Sequence, residues 1–524
     1  MDTNFALKFC PKGHIHLALT LSLLTIACAT FYGLSFRRKQ RSPLPPGPKP
    51  LPIIGNIHSM FRKSPMDCLQ AWHKQFGPVI AVRYGQRRVV SVSSYRVAQE
   101  LMNKKSMIYS SRPRFIMASE RMTGSLNMAI IPYNKRWQNY NHIAGSLLDA
   151  GAVRRYAPLL NLESTYCLRE MKHSDDFSKS LARFSASMLL TLGYGIHLPR
   201  SDCVEPDELE RINDLPFQAL GQSHSLLIEL FPVLDYIPYA VAPWKWTAER
   251  TKNETTALHM KHLATGLSTS TWNWSHEVKS LKVGQLLSDE ELAYCIGTIE
   301  QAGFGAILTV ARLLVKAIVL HPEYAKRAQD ELDRVVGQDR LPCMEDQERL
   351  PWLDAMINEA MRWQPPTPFA IPHANTKDDV YKGYVIPKDT MVIPNLWVMA
   401  FDAEDFPDPY TYRPERWLRG EPVQHSSFGF GRRICPGRHL GYTSVFLVIS
   451  RLLWAYNISH AYRDGKKVEI DPWDLNFTFT AASNPFKASF QVRSPKHSQL
   501  IETAWENSER DVGKILEGIK PRRG

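Results

Sequence analysis

Hydrophobic positions recur with a helical period along most of this chain, whereas apolar runs of the strand type are few and short. Residues 289–320 keep the helical pattern longest, and Pro322 follows their last turn as a normal helix stop. Residues 353–363 and 441–455 show the same period over shorter stretches. The pattern therefore predicts a mainly α protein of the α+β class.

Short apolar runs rich in β-branched and aromatic residues predict small patches of β-sheet. Residues 79–85 and 88–93 predict a two-stranded hairpin with a tight turn between them. Residues 381–387 and 390–394 predict two more short strands joined by a turn. We expect these strands to flank a helical core.

The body of the chain shows no internal boundary. Of its 524 residues 44% are hydrophobic, which is enough for one large domain or several smaller ones. Because no Ser/Gly-rich linker, repeat or low-complexity block divides it, we predict one catalytic domain at residues 56–498 and a charged C-terminal tail at 499–524. The eight cysteines are scattered without a CxxC pair, which indicates a reducing compartment rather than a disulfide framework.

An uncharged apolar segment at residues 15–36 predicts a transmembrane anchor. About twenty such residues in a helix reach the roughly 30 Å thickness of the hydrocarbon core of a bilayer. Four basic residues follow between positions 37 and 41, so the positive-inside rule places residues 1–14 in the lumen and the bulk of the chain in the cytosol. A cleaved signal peptide is the alternative interpretation.

Residues 37–55 form a basic and proline-rich segment that we interpret as a hinge. The prolines between positions 43 and 52 exclude a helix there and favour a stiff, extended strut between the anchor and the folded domain. A ligand for an SH3-type domain is the alternative interpretation of such a run.

A cysteine within a glycine-rich segment is the most specific chemical signal in the chain. Cys435 lies in a stretch from Phe428 to Gly437 that reads Phe-Gly-Phe-Gly-Arg-Arg-Ile-Cys-Pro-Gly. The glycines let the backbone approach a flat cofactor, and Arg433 is a fixed cation suited to a carboxylate such as a haem propionate. A thiolate bound to haem iron favours O–O cleavage. A buried, inert cysteine is the alternative.

With these residues the chain resembles the cytochrome P-450 haem-thiolate enzymes, over residues 44–494. Two further elements agree: Glu359 and Arg362, which lie three apart on one helix face, and a Pro-Glu-Arg element that contains Arg416. The resemblance implies that Glu359, Arg362 and Arg416 bind one another and brace the haem-side core. Their implied role is structural.

The resemblance implies a fold, a cofactor and a function. The implied fold is the cytochrome P-450 fold, a helix-rich haem domain with small β-sheets, preceded here by one transmembrane helix. Haem b would take Cys435 as its axial ligand, and electrons would come from NADPH through a flavoprotein reductase. The substrate would be an apolar, ring-containing small molecule. The pattern is most similar to fungal microsomal members in the endoplasmic reticulum membrane, many of which tailor secondary metabolites.

Further haem contacts are implied at positions that match the family. They are Phe428, Arg433, Arg112, His373 and Trp137. The family often pairs the tryptophan with an arginine four residues later, but this chain has Asn141 there, followed by His142. Either neutral side chain can hydrogen-bond a carboxylate, although neither supplies a fixed charge.

The largest departure from the family lies in the oxygen-activating stretch of the long helix. This stretch falls on Gly303, Phe304, Gly305 and Ala306, so that Gly305 replaces the usual acid and Ala306 the usual alcohol. In the family those two side chains and a water deliver protons to oxygen. Three explanations stay open: a substrate hydroxyl or water replaces the relay, the reaction needs less proton delivery, or oxygen activation is impaired.

The net charge of +12 favours an acidic partner and a membrane surface. Much of the excess lies after the anchor and around Cys435, where it would attract a flavoprotein reductase. We see no nucleic-acid-binding motif and expect no nucleic-acid partner. Two other functions stay open beside monooxygenation. One is oxidative coupling of aromatic rings through radicals, and the other is haem binding with impaired oxygen activation.

Overall fold

The computed structural model describes residues 43–61, 64–174, 176–221, 223–418, 426–477 and 480–521. The predicted lumenal N-terminus (1–14), the predicted anchor (15–36) and residues 37–42 of the predicted hinge lie outside the described residues.

The described chain is helix-rich, with 59% of residues helical, as the sequence predicts. The α-helices in chain order are α1 (Pro65–Phe76), α2 (Tyr95–Ala98), α3 (Ser106–Tyr109), α4 (Lys135–Leu148), α5 (Ala150–Arg155), α6 (Ala157–Met171), α7 (Phe177–Tyr194), α8 (Glu205–Gly221), α9 (Ser223–Leu230), α10 (Pro243–Ser268), α11 (Trp274–Ser280), α12 (Asp289–Leu320), α13 (Pro322–Val335), α14 (Pro351–Trp363), α15 (Leu396–Ala400), α16 (Arg438–Ala455), α17 (Pro495–Glu506) and α18 (Val512–Ile519). Short 3₁₀ turns include Pro232–Tyr236, Tyr239–Val241, Pro414–Leu418 and Gly431–Arg433, and Gln99–Lys104 and Ile116–Arg121 are π-helical.

The long helix α12 confirms its predicted bounds. It begins with a capping box, in which the Ser288 hydroxyl accepts from the Glu291 N–H and the Glu291 carboxylate accepts from the Ser288 N–H. It ends at Leu320 because Pro322 starts the next helix. The helices predicted at 353–363 and 441–455 are also present, although α14 and α16 begin slightly earlier.

The strands of the described residues form one mixed four-stranded sheet, three small hairpins and a two-stranded sheet of the seventh strand with the twelfth. They are β1 (Val79–Tyr84), β2 (Arg87–Val92), β3 (His373–Ala374), β4 (Asp379–Tyr381), β5 (Tyr384–Ile386), β6 (Met391–Pro394), β7 (Tyr456–His460), β8 (Tyr462–Arg463), β9 (Lys466–Lys467), β10 (Leu475–Phe477), β11 (Ala481–Ser483) and β12 (Ala488–Val492). The mixed sheet has the order β1-β2-β6-β3, and the β1–β2 hairpin confirms its prediction.

The two short strands predicted at residues 381–387 and 390–394 are present as β5 and β6, but they do not pair with each other. The first run bends at Lys382 and Gly383, whose φ values of 48° and 84° fit a two-residue hairpin turn, and β5 pairs with β4. The second run, β6, pairs in parallel with β2 and antiparallel with β3. Because these partners are distant in sequence, the local pattern could not identify them.

The core surrounds α12, which packs against α7, α10 and α16. Among the described residues α12 is the one helix long and apolar enough to cross a membrane, but two thirds of its apolar window is buried by neighbouring helices. The packed domain continues beyond residue 498, because the boundary predicted there falls inside α17. Ile501, Leu516 and Ile519 of the last two helices are buried in the main core.

Candidate functional site

The cysteine loop is a tight turn that joins a 3₁₀ turn to α16. The Cys435 N–H donates to the Phe428 carbonyl at 2.8 Å, which closes the loop. Gly431 has a φ of 58°, and a Cβ there would lie 2.1 Å from the Met102 carbonyl oxygen. A Cβ on Gly437 would lie 3.8 Å from the Cys435 sulfur. Glycine is therefore required at 431, and at 437 it keeps the space beside the sulfur free.

The Cys435 thiol is half-buried, and its pKa is raised above the ordinary value mainly by burial. A hydrogen bond from the Gly437 N–H and the charge of Arg438 lower this pKa in part. Metal coordination deprotonates such a thiol outright. No cluster of three or more His, Cys, Asp or Glu side chains within the described ranges could hold a bare metal ion. Cys435 therefore suits a metal whose other ligands come from a macrocycle.

Two guanidinium groups, that of the buried Arg112 and that of the half-buried Arg433, lie near this loop and bind backbone carbonyls. Arg433 Nε donates to the Ser110 carbonyl at 2.7 Å and Nη2 to the Ile131 carbonyl at 2.8 Å. Arg112 Nη1 donates to the Ile371 carbonyl at 2.6 Å. In the part of the chain that the structure describes, neither arginine forms an ion pair with a carboxylate. The two positive charges are thus held in place but not neutralised.

His373 lies beside these two cations as a neutral imidazole, and we call Arg112, Arg433 and His373 together the cationic cluster. Burial and then Arg433 hold the pKa of Arg112 well below its ordinary value, and burial lowers the pKa of Arg433 to about 9. Burial and the neighbouring Arg112 lower the pKa of His373 to about 3, while its Nδ1 donates to the Tyr109 carbonyl at 2.7 Å. The positive charges of this cluster need a negatively charged partner that neutralises them. The two propionates of haem fit this requirement.

Trp137 joins the same site from α4, whereas Asn141 does not. The Arg433 guanidinium lies over the Trp137 ring, 4.2 Å from its centroid, and the tryptophan is buried. Asn141 lines a surface groove together with Arg432, and His142 is exposed. The structure therefore brings Trp137 to the cationic cluster and leaves the positions after it on the outer face.

The predicted brace is assembled around the Glu359 carboxylate, which is fully buried. Its oxygens accept from Arg362 Nη2 at 2.8 Å, from Arg362 Nε at 2.9 Å and from Arg416 Nε at 3.3 Å. Trp417 Nε1 donates at 2.9 Å and the Arg413 N–H at 2.8 Å, two contacts that sequence reasoning missed. The brace ties α14 to the 3₁₀ turn at Pro414–Leu418.

One face of α12 is open where the oxygen-activating stretch is predicted. Ala302 and Ala306, four residues apart and so on one face, are exposed although they lie in the middle of a core helix. Phe304 is fully buried in the main core, and a Cβ on Gly303 would lie 3.0 Å from Leu189 Cδ1. Phe304 and Gly303 thus serve helix packing, and the open face belongs to the two alanines.

Glu300 points away from this open face. Its side chain is fully buried, and burial raises its pKa to about 8. Burial and then the charge of Glu300 raise the pKa of the Tyr194 hydroxyl on α7, so these two side chains are near each other. Neither carboxylate oxygen has a hydrogen-bond partner among the described residues. Glu300 is therefore not positioned to replace the missing acid.

Sequence reasoning missed Asn213 of α8. Its Nδ2 donates to the Gln301 carbonyl at 3.2 Å and lies 3.6 Å from where a Cβ on Gly305 would be. No local motif marks this asparagine, because the contact joins two helices that are 88 residues apart in sequence.

This fold, with its cysteine loop and buried cationic cluster, defines a haem-thiolate oxidoreductase. The chain belongs to the cytochrome P450 family, whose sequence model matches residues 45–490. This family uses haem b with a thiolate ligand to the iron and receives electrons from a reductase partner.

Three relatives share almost their whole length with this chain. The cytochrome P450 monooxygenase aneD of Aspergillus aculeatus is 39% identical over 96% of this chain and 98% of its own. The echilunin cytochrome P450 monooxygenase of Aspergillus ruber is 36% identical over 96% and 94%. The cytochrome P450 monooxygenase peniB of Penicillium patulum is 35% identical over 95% and 94%. The relatives are fungal monooxygenases of secondary-metabolite biosynthesis.

We expect Arg433→Gln to weaken haem binding about 10- to 100-fold, since a hydrogen bond to a charged group contributes about 1.5–3 kcal/mol. The measurement is the haem-to-protein ratio after gel filtration. Arg432→Gln is the matched control, because Arg432 is adjacent in sequence but exposed. Equal haem retention by the two variants would contradict the prediction.

Proposed function

We propose that this protein is a membrane-anchored haem-thiolate monooxygenase that oxidises an apolar, ring-containing small molecule with O₂ and NADPH-derived electrons. The observation that carries the proposal is the sulfur of Cys435 in a glycine-lined loop near two unneutralised arginines, the buried Arg112 and the half-buried Arg433. An inert core cysteine would need neither the glycines nor the cations.

Each part of the site has a proposed role. Haem, when bound, supplies the iron at which oxygen is activated. Cys435 would be the axial thiolate ligand, while Arg112, Arg433 and His373 would hold the propionates. Trp137, buried beneath the Arg433 guanidinium, would exclude water from that contact. The open face at Ala302 and Ala306 offers small apolar side chains and leaves room for oxygen and an apolar substrate.

A basic groove beside the cysteine loop supports a reductase as the electron donor. Asn141, Arg432, Ile434, Arg438 and His439 line this groove. Arg438 Nη1 donates to the Cys435 carbonyl at 3.2 Å, so the groove reaches the backbone of the proposed ligand. Ile434 is an exposed apolar side chain in its centre. Positive charge around an apolar contact suits an acidic flavoprotein surface.

An exposed apolar surface next to the hinge supports the membrane proposal. Around α9 and the turns that follow it, large apolar side chains are exposed at Leu226, Leu227, Val233, Tyr236, Tyr239, Val241 and Trp246. The hinge lies on the same edge, because the Gly85 N–H donates to the Ile54 carbonyl and the Gln86 N–H to the Leu230 carbonyl. Exposed patches of this kind mark membrane or protein contacts. We propose a single anchor at residues 15–36 in the endoplasmic reticulum membrane, with the catalytic domain in the cytosol.

The function is tested with the full-length protein, a fungal NADPH-dependent reductase and ¹⁸O₂. Apolar ring compounds are first screened for the spectral shift that binding near the haem iron produces, and binders are then turned over. We expect NADPH consumption that depends on the compound, together with one ¹⁸O atom in the product. Coupled rings without label would identify an oxidative coupling enzyme instead. Absence of turnover with every binder would contradict catalysis.

A further inference from the structure

The backbone of the oxygen-activating stretch is held by side chains from two neighbouring helices. Asn213 of α8 donates from Nδ2 to the Gln301 carbonyl at 3.2 Å, and Ser185 of α7 donates from Oγ to the Phe304 carbonyl at 3.2 Å. Ser185 is fully buried, whereas Asn213 is half-buried. Asn213 therefore approaches α12 from a side that retains accessible space.

Asn213 lies in the direction in which a side chain at position 305 would point. The ideal Cβ of Gly305 is 3.6 Å from Asn213 Nδ2, an ordinary van der Waals distance, with no other heavy atom of the described residues within 4 Å. Because a carbonyl oxygen only accepts, the atom of Asn213 that faces Gln301 is the amide nitrogen. The carboxamide therefore stands where the acid of the usual pattern would extend.

The hydrogen bond from Asn213 to the Gln301 carbonyl also involves the hydrogen-bond ladder of α12. In a regular helix the Gln301 carbonyl accepts from the Gly305 N–H, so Asn213 shares that acceptor. Gly303 and Gly305 each lower helix stability by about 1 kcal/mol relative to alanine. A side chain that enters the hydrogen-bond ladder is a recognised cause of local bending. The two glycines thus lower the helix stability of the stretch beside Ala302 and Ala306, and Asn213 binds α12 there.

We propose that Asn213 is a positioning residue for oxygen activation, and this rests on the monooxygenase function proposed above. Its amide replaces the missing acid from a neighbouring helix and orders water at the open face of α12. An amide does not release a proton at physiological pH, so Asn213 orients the water and does not act as an acid. The ligand assigned to this site is therefore water.

A purely structural link between α8 and α12 is the competing explanation. Pro216 lacks an N–H, which leaves the Ile212 carbonyl without its helical donor and weakens α8 beside Asn213. A bond from Asn213 to α12 would support that weak point. The test must therefore include a readout that a structural link does not affect.

Carbon monoxide is the probe, because its stretching frequency in the reduced protein responds to hydrogen-bond donors near the bound molecule. We expect Asn213→Ala to shift this band to higher frequency and to accelerate amide hydrogen exchange at residues 301–306. The double variant Asn213→Ala/Gly305→Asp should move the band back, since the new carboxyl group fills the same space. Gln218→Ala, an exposed amide on the same helix, should change neither readout.

The outcomes are distinct. Faster hydrogen exchange with an unchanged carbon monoxide band would reduce Asn213 to a structural link and overturn the proposal. The same holds if Asn213→Ala fails to fold and the milder Asn213→Ser leaves the band unchanged. A wild-type protein without the thiolate Soret band would instead contradict the monooxygenase function itself.

Discussion

Replacement of Cys435 by alanine is expected to abolish the red-shifted Soret band of the dithionite-reduced, carbon-monoxide-bound protein. This band requires a thiolate on haem iron, and the geometry points to one sulfur. Cys435 has space beside it at Gly437, and Arg433, two residues before it, belongs to the cationic cluster. The fully buried Cys167 and Cys295 lie in the main hydrophobic core instead. We expect complete loss of the band, measured in the carbon monoxide difference spectrum (carbon-monoxide-bound minus unbound reduced protein) of the variant beside that of the wild type.

Two variants make the result specific. Cys203→Ala removes a thiol of similar burial that lies far from the cysteine loop in sequence, and it should keep the band. Cys435→His offers a neutral nitrogen ligand and should give the ordinary, unshifted band of a haem protein. An ordinary band in the wild type as well would mean that sulfur is not the ligand, and the proposed function would fall with it.

Features set by neighbouring residues could be predicted from the sequence, whereas contacts between residues far apart in the sequence could not. The bounds of α12 were predictable because its capping box and Pro322 are local signals. The partner of β6 was not, because the parallel pairing with β2 joins segments about 300 residues apart. A short apolar run carries no information about which distant edge it will meet.

The same rule applies to the candidate site. The Cys435 loop could be predicted, since its residues are contiguous. Arg112 and His373 were identified only through resemblance to a family, because no local pattern shows that these segments come together. Arg112 donates to the Ile371 carbonyl, which lies 259 residues away in the sequence. Asn213 could not be found in this way, because it matches no motif.

Glu359→Ala is expected to lower the free energy of unfolding by about 3–5 kcal/mol, the usual cost of breaking a buried ion pair by removing one partner. The single, fully buried carboxylate forms ion pairs with both Arg362 and Arg416, which are themselves buried. Without it, two guanidinium groups stay in the core with only carbonyl acceptors, such as those of Ala400 and Asp408. The measurement is the midpoint of denaturant unfolding followed by tryptophan fluorescence.

An exposed ion pair supplies the matched control. Lys326 and Asp330 pair on the surface of α13, and exposed pairs contribute at most about 1 kcal/mol, so Asp330→Ala should change the midpoint little. Glu359→Met combined with Arg362→Met should cost less than Glu359→Ala alone, since fewer unpaired charges remain. A loss no larger than that of Asp330→Ala would contradict the brace.

Variants of the brace and of the cationic cluster should differ in whether the protein unfolds before it loses haem. In Glu359→Ala haem loss should follow unfolding, because Glu359 pairs with Arg362 in the protein core, whereas Arg433 binds backbone carbonyls such as that of Ser110. In Arg433→Gln haem binding should be weaker although the protein stays folded. The unfolding midpoint of the haem-free variant should stay close to that of the haem-free wild type, since removing an unneutralised, half-buried charge relieves a desolvation cost. Haem titration of both variants below their unfolding midpoints checks this. If Glu359→Ala lost haem affinity while still folded, the brace would have a direct role at the haem site.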